Sequence, residues 1–164
     1  MKVLAIDPGY ERVGVALLEQ NPRGEDLLLY STCLTTPKTL PFQKRLLEIG
    51  KEIEKLMKRF RPGAIALEKL YFNSNQKTAM HVSEVRGMIL YLAGVHNLPL
   101  FEYTPQEVKS AVTGSGRGDK KQVTAMVRRL LHIEKPIKTD DEYDAIAIGL
   151  VCLASERRLR RATP

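Results

Sequence analysis

The sequence predicts one α/β domain: a mixed five-stranded sheet with helices on both faces. Three observations carry this. Short β-like runs joined by turn residues fill the first 35 positions. The apolar period then switches to that of an amphipathic helix. Beyond it, strands and helices alternate to the end of the 164 residues.

Lys2–Ile6 is a short apolar run ending at Asp-Pro-Gly, and Arg12–Leu18 and Asp26–Thr35 are the next two. Pro8-Gly9 and Pro22-Arg23-Gly24 supply turn chemistry, so the three runs read as an antiparallel meander. From Pro41 to Phe60, Leu46, Leu47, Ile49, Ile53, Leu56, Met57 and Phe60 recur at helical spacing. Lys44, Lys51, Lys55, Lys58 and Arg59 make a solvated face, and Pro62-Gly63 ends the helix. Ala64–Leu67 is a buried strand leading into Glu68. A helix over Gln76–Val95 and a strand over Pro99–Tyr103 follow, then helices over Pro105–Val112, Lys120–His132 and Asp141–Ser155. A right-handed crossover brings the fourth strand parallel to and beside the first.

Composition narrows the function. No apolar run is long enough for a membrane span or a secretory signal, so a cytoplasmic address is expected. Cys33 and Cys152 lie far apart in apolar segments and read as buried thiols, and His81, His96 and His132 make no zinc spacing. A net charge of +7 points to a polyanionic partner, chiefly nucleic acid. Residues 1–158 form the expected domain, and the basic 159–164 a disordered tail.

The chemistry-bearing residues are acids. Asp7 directly follows the first strand and Glu68 the fourth. On adjacent parallel strands both project at the carboxyl end, where ligands of such sheets bind. Asp141 and Asp144 open the last helix, three apart and therefore on one face, with Asp140 and Glu142 beside them. First-turn acids also occur simply to complement a helix dipole, so that pair alone is ambiguous. Four carboxylates at one site repel unless cations join them. Two Mg²⁺ ions, with Mn²⁺ as substitute, would balance the charge and clamp the attacking and leaving oxygens of a phosphodiester.

The meander followed by α/β units is the RNase H-like plan, and the motifs carry a narrower resemblance. Ile6-Asp7-Pro8-Gly9 with Gly14, Ala66-Leu67-Glu68-Lys69-Leu70-Tyr71, Asn75, Arg86-Gly87, Phe101-Glu102-Tyr103, Val108-Lys109, Gly114-Ser115-Gly116, Lys120, Gln122-Val123 and Asp141-Glu142-Tyr143-Asp144-Ala145 occur in order. Over roughly residues 2–155 the chain resembles the RuvC-type Holliday-junction resolvases. It departs from them at Ser83, where a glycine is expected, at Gly118, where alanine is commoner, and at Tyr71, where phenylalanine is usual.

The resemblance implies a homodimer that resolves four-way DNA junctions by paired symmetric nicks during homologous recombination and DNA repair. It implies a metal quartet of Asp7, Glu68, Asp141 and Asp144. It places Lys109 and Lys120 near the scissile phosphate or along the DNA, with Lys121 an alternative for the second role, and brings in a branch-migration helicase as a further partner. Tyr71 and Phe72 fall in a loop beside the cleft, where a ring can stack on exposed bases. The resemblance makes Tyr71 that residue, with Phe72 the alternative. Three other readings compete: an RNase H-like nuclease of another kind, for RNA–DNA hybrids or pre-resolvase substrates; a sugar kinase or actin-like ATPase; and a junction-binding or architectural protein with a decayed site. An ATPase of that kind needs two such domains, and the presence of all four acids argues against decay.

Overall fold

The computed structural model describes residues 1–69, 76–133 and 136–162, with side chains except at 76–78 and from 158 onward. The elements are β1 (Lys2–Asp7), β2 (Arg12–Gln20), β3 (Asp26–Thr35), α1 (Phe42–Phe60), β4 (Ala64–Glu68), α2 (Gln76–Val95), β5 (Leu100–Tyr103), α3 (Pro105–Thr113), α4 (Lys120–Leu130) and α5 (Asp140–Ala162). The sheet order is β3-β2-β1-β4-β5. The meander β1–β2–β3 is antiparallel, while β1–β4 and β4–β5 are parallel. The expected mixed sheet is therefore found, with the fourth strand beside the first.

The period of two along each strand divides the core in two. Leu4, Ile6, Val13, Val15, Leu17, Ile65 and Leu67 face one side and pack with Ile49, Ile53 and Leu56 of α1 and Val85, Ile89 and Ala93 of α2. Val3, Ala5, Ala16, Leu18, Ala64 and Ala66 face the other and pack with α3, α4 and α5. Each fully buried Leu or Ile contributes about 1.5–3 kcal/mol relative to exposure. Alanines make up most of the second face, and α5 lies close upon it. A Cβ on Gly149 would sit 2.4 Å from Leu18 Cδ1 and 3.2 Å from Ala5 Cβ. Ala145, Ile146, Ala147 and Ile148 of α5 are wholly buried, as befits a helix enclosed by the fold.

Local signals set the boundaries. Thr104 and Glu107 form a capping box that starts α3, with Pro105 in its first turn, and Asp119 and Gln122 do the same for α4. Gly118 has room only for hydrogen, since a Cβ there would lie 2.7 Å from Thr113 Oγ1, whose one hydroxyl proton is shared between the carbonyls of Lys109 and Ser115.

Three expectations are corrected. Helix α4 stops at Leu130, because His132 takes a left-handed φ of 47° that ends the helical run. Helix α5 carries its backbone through Ala162, beyond the Ser155 at which it was expected to end. Arg, Leu and Ala are strong helix formers, and basic residues suit the negative end of a helix dipole. Cys152 is buried, but Cys33 is only half-buried, because it lies toward the open end of the sheet. Among the described residues no helix is long and apolar enough to cross a membrane.

Candidate active site

Asp7 ends β1, and Glu68 ends β4 one residue beyond the paired Ile6 and Leu67. The alternation that turns Val3 and Ala5, and Ala64 and Ala66, toward α5 turns both acids to that same side. The start of α5 comes to meet them. Across the β1–β2 ladder, Asp7 pairs with Gly14. A Cβ on Gly14 would stand 1.9 Å from the carbonyl oxygen of Asp141, so only glycine lets α5 begin here.

The charges report how close the acids are. The Asp7 carboxyl is pushed up to about 8, first by burial, then by Glu68, Asp144 and Asp141, against a lowering from Lys120. Glu68 is pushed up to about 7, again by burial first and by Asp144 next, with Lys109 and Lys120 opposing. Burial also raises Asp144, against the pull of Lys120. Lys120 Nζ lies 3.4 Å from Asp144 Oδ2, and Asp144 in turn raises the lysine. The fold thus gathers all four predicted acids, with Lys120 among them and Lys109 near enough to act on Glu68. Lys121 is exposed at the start of α4. Tyr71 and Phe72 lie outside the described residues.

The ambiguity among neighbouring acids is reduced by Thr139. Its hydroxyl accepts from the Glu142 backbone N–H and donates to Glu142 Oε1, which engages Glu142 in capping α5.

Two arginines were missed from the sequence. Arg12 Nε lies 3.2 Å from Asp141 Oδ2, and Cys33 Sγ approaches the same oxygen at 3.8 Å. Arg45 is buried within α1. It donates to Tyr10 O at 2.9 Å and Thr36 Oγ1 at 2.8 Å, pinning the loop that follows Asp7. A lone cation opening a strand, as Arg12 does, was the one available signal. Arg45 offered none, because it looks like one more member of a basic helix face.

Among the described residues no three His, Cys, Asp or Glu side chains converge tightly enough to make a metal centre as they stand. The donor set nonetheless suits a hard divalent cation. It is all carboxylate, and burial first, with mutual repulsion second, raises Asp7, Glu68 and Asp144, so a cation bound among them would stabilise their charged forms.

A measurable consequence follows for stability. Asp7 binds its proton more tightly folded, at about 8, than at its ordinary 3.8. Between those values the folded state holds more protons, so the stability linked to Asp7 falls as pH rises through that window. In chelator, the Tm of the wild type should fall from pH 5 to pH 8 more steeply than that of Asp7→Asn. At pH 8, Mn²⁺ should raise the wild-type Tm and leave the variant's nearly unmoved. Parallel curves for the two proteins would remove Asp7 from the charged cluster.

The comparisons with known proteins agree on one family. A family model described as crossover junction endodeoxyribonuclease RuvC matches residues 3–152. Proteins named crossover junction endodeoxyribonuclease RuvC include one from Thermotoga petrophila, 40% identical over 163 residues and covering 99% of this chain and 98% of its own. Another, from Thermosipho melanesiensis, is 43% identical over 158 residues, covering 96% and 99%. Among solved structures, Thermus thermophilus RuvC in complex with a Holliday junction substrate superposes with a TM-score of 0.89 at 28% identity, over 96% of each chain.

Proposed function

The chain belongs to the RuvC family of crossover junction endodeoxyribonucleases, and from that membership we propose that Asp7, Glu68, Asp141 and Asp144 are its metal-holding catalytic residues, with two Mg²⁺ ions as the working cofactor. The protein is an endonuclease that hydrolyses phosphodiester bonds and resolves Holliday junctions, and its family is metal-dependent. The observation that carries the proposal is the meeting of two strand-end acids with the first turn of α5 at one end of the sheet.

In this reading the four carboxylates offer oxygen ligands on one side of the cleft and leave the other side to DNA. Bound there, the ions supply positive charge to the scissile phosphate and lower the pKa of the attacking water. Lys120, tied to Asp144, holds that carboxylate in place and adds a cation facing the phosphate. Lys109 moderates the charge of Glu68. The exposed Lys121 tracks the DNA backbone. Tyr71, with Phe72 as the alternative, stacks on bases opened at the crossover.

Paired symmetric nicks require two sites in matching orientation, and a homodimer supplies them. Helix α2 supports this reading. Its inner face is Val85, Ile89 and Ala93, while the small residues Ser83 and Gly87 face outward with Met80 and Tyr91. Nothing lies within 4 Å of a Cβ placed on Gly87, so a second helix can approach closely there. Sedimentation at micromolar concentration should give a dimer. Tyr91→Glu should shift it toward monomer and convert paired nicks into single ones. A wild-type monomer with full paired nicking would refute the dimer. A branch-migration helicase as further partner and a cytoplasmic location, where the DNA is, complete the reading.

The direct test is a panel of labelled four-way junction, linear duplex and RNA–DNA hybrid, with and without Mg²⁺. Cleavage of the junction alone, and only with the metal, is expected. Equal or faster cutting of the hybrid would overturn the substrate assignment.

A further inference from the structure

Among the described residues, Asp141 is the one of the four acids held by an arginine. Its Oδ2 lies 3.2 Å from Arg12 Nε and 3.8 Å from Cys33 Sγ, and its side chain is 19% exposed. The Arg12 side chain is 58% exposed. Its backbone, by contrast, is fixed. Arg12 pairs with Thr35 of β3, and its carbonyl sits where a Cβ on Gly9 would come within 2.1 Å. A backbone held in the sheet thus carries a solvent-exposed cation at the rim of the cleft, with its inner side on a metal-ligand candidate and its outer side open to solvent.

We propose that Arg12 is a positioning residue that acts as a DNA-responsive clamp on Asp141. In the free protein its guanidinium occupies the carboxylate oxygen that a divalent cation needs, and a backbone phosphate of bound DNA draws the guanidinium away and frees that oxygen. The proposal rests on the assignment of Asp141 to the metal quartet.

The energetics suit an exchange. The pair is open to solvent on its arginine side, where water and salt weaken the hold on the guanidinium and another anion can reach it. Arginine binds phosphate through directed, charge-assisted hydrogen bonds, commonly two at once. The guanidinium therefore gains a partner at least as good as the one it gives up. Linkage makes the effect reciprocal: DNA that removes Arg12 from Asp141 tightens the cation, and the cation tightens DNA. The clamp would keep the site poorly loaded until substrate arrives.

Two readouts other than cleavage test this. The first is calorimetric titration of Mn²⁺ into DNA-free wild type, Arg12→Ala, Arg12→Gln, Arg12→Lys and Asp7→Asn. Losing a competitor of surface ion-pair strength should tighten Mn²⁺ binding by about two- to fivefold in the alanine and glutamine variants. Lysine should restore wild-type affinity. The second readout is junction binding against salt without divalent cation. Arg12→Ala should flatten the slope of log K against log salt by about 0.9, the share of one phosphate contact. Mn²⁺ binding that is unchanged or weaker in both Arg12→Ala and Arg12→Gln would overturn the clamp, as would an unchanged salt slope. Arg12→Gln keeps the aliphatic stem, so it decides the matter if the alanine variant folds poorly. Asp7→Asn that binds Mn²⁺ like the wild type would instead overturn the quartet beneath the proposal.

Discussion

Asp7→Asn is expected to lower junction cleavage by about a thousandfold or more while junction binding survives. The substitution keeps the shape of the side chain and removes its charge. Asp7 is the acid whose charge is felt with all three others, Glu68, Asp144 and Asp141, so it stands at the centre of the cluster. A thousandfold corresponds to about 4 kcal/mol of barrier, within what a metal contributes at a developing oxyanion. Binding should hold or improve, because the variant presents less negative charge to a polyanion. Glu68→Gln should behave in the same way. Single-turnover cleavage beside a gel-shift titration measures both properties. Cleavage by Asp7→Asn within tenfold of wild type would take that residue out of the chemistry.

Gly14→Ala should be nearly as damaging, although the residue carries no functional group. Its added methyl would fall 1.9 Å from the Asp141 carbonyl oxygen, far inside contact distance. Backbone cannot yield as a flexible side-chain tip can, so the start of α5 must move off the sheet. Overpacking of this sort costs about 1–3 kcal/mol. The chemical cost is larger, because Asp141 and Asp144 ride on the displaced turn. A misplacement of about 1 Å can cost about a hundredfold in rate. The expected variant therefore has a lowered Tm, near-normal junction binding and cleavage reduced by at least about a hundredfold. A folded variant cleaving at the wild-type rate would show that the α5 acids do not depend on this close approach.

Much of this site could be read in the sequence, because it hangs on regular elements. Asp7 and Glu68 are each the last residue of an apolar strand, so a period of two and a parallel crossover suffice to point them the same way. Asp141 and Asp144 are related by helical spacing alone. What stayed hidden depends on long-range closure. Cys33 meets Asp141 across 108 positions of chain, and Arg12 does so because the loop after Asp7 turns tightly on Gly9. Arg45 sits among exposed lysines in sequence, yet its side chain turns inward to the Tyr10 carbonyl. That Glu142 caps α5 likewise needed the Thr139 contact. The end of α5 was set too early, at Ser155, because the apolar period stops there, whereas helical propensity carries its backbone to Ala162.

The most direct test of the central claim is anomalous diffraction from crystals of the protein soaked in Mn²⁺. Two manganese peaks are expected about 3.5–4 Å apart, at the carboxyl ends of β1 and β4, with oxygens of Asp7, Glu68, Asp141 and Asp144 as their protein ligands. Manganese bound at other acids, with this cleft empty even when junction DNA is present, would contradict it.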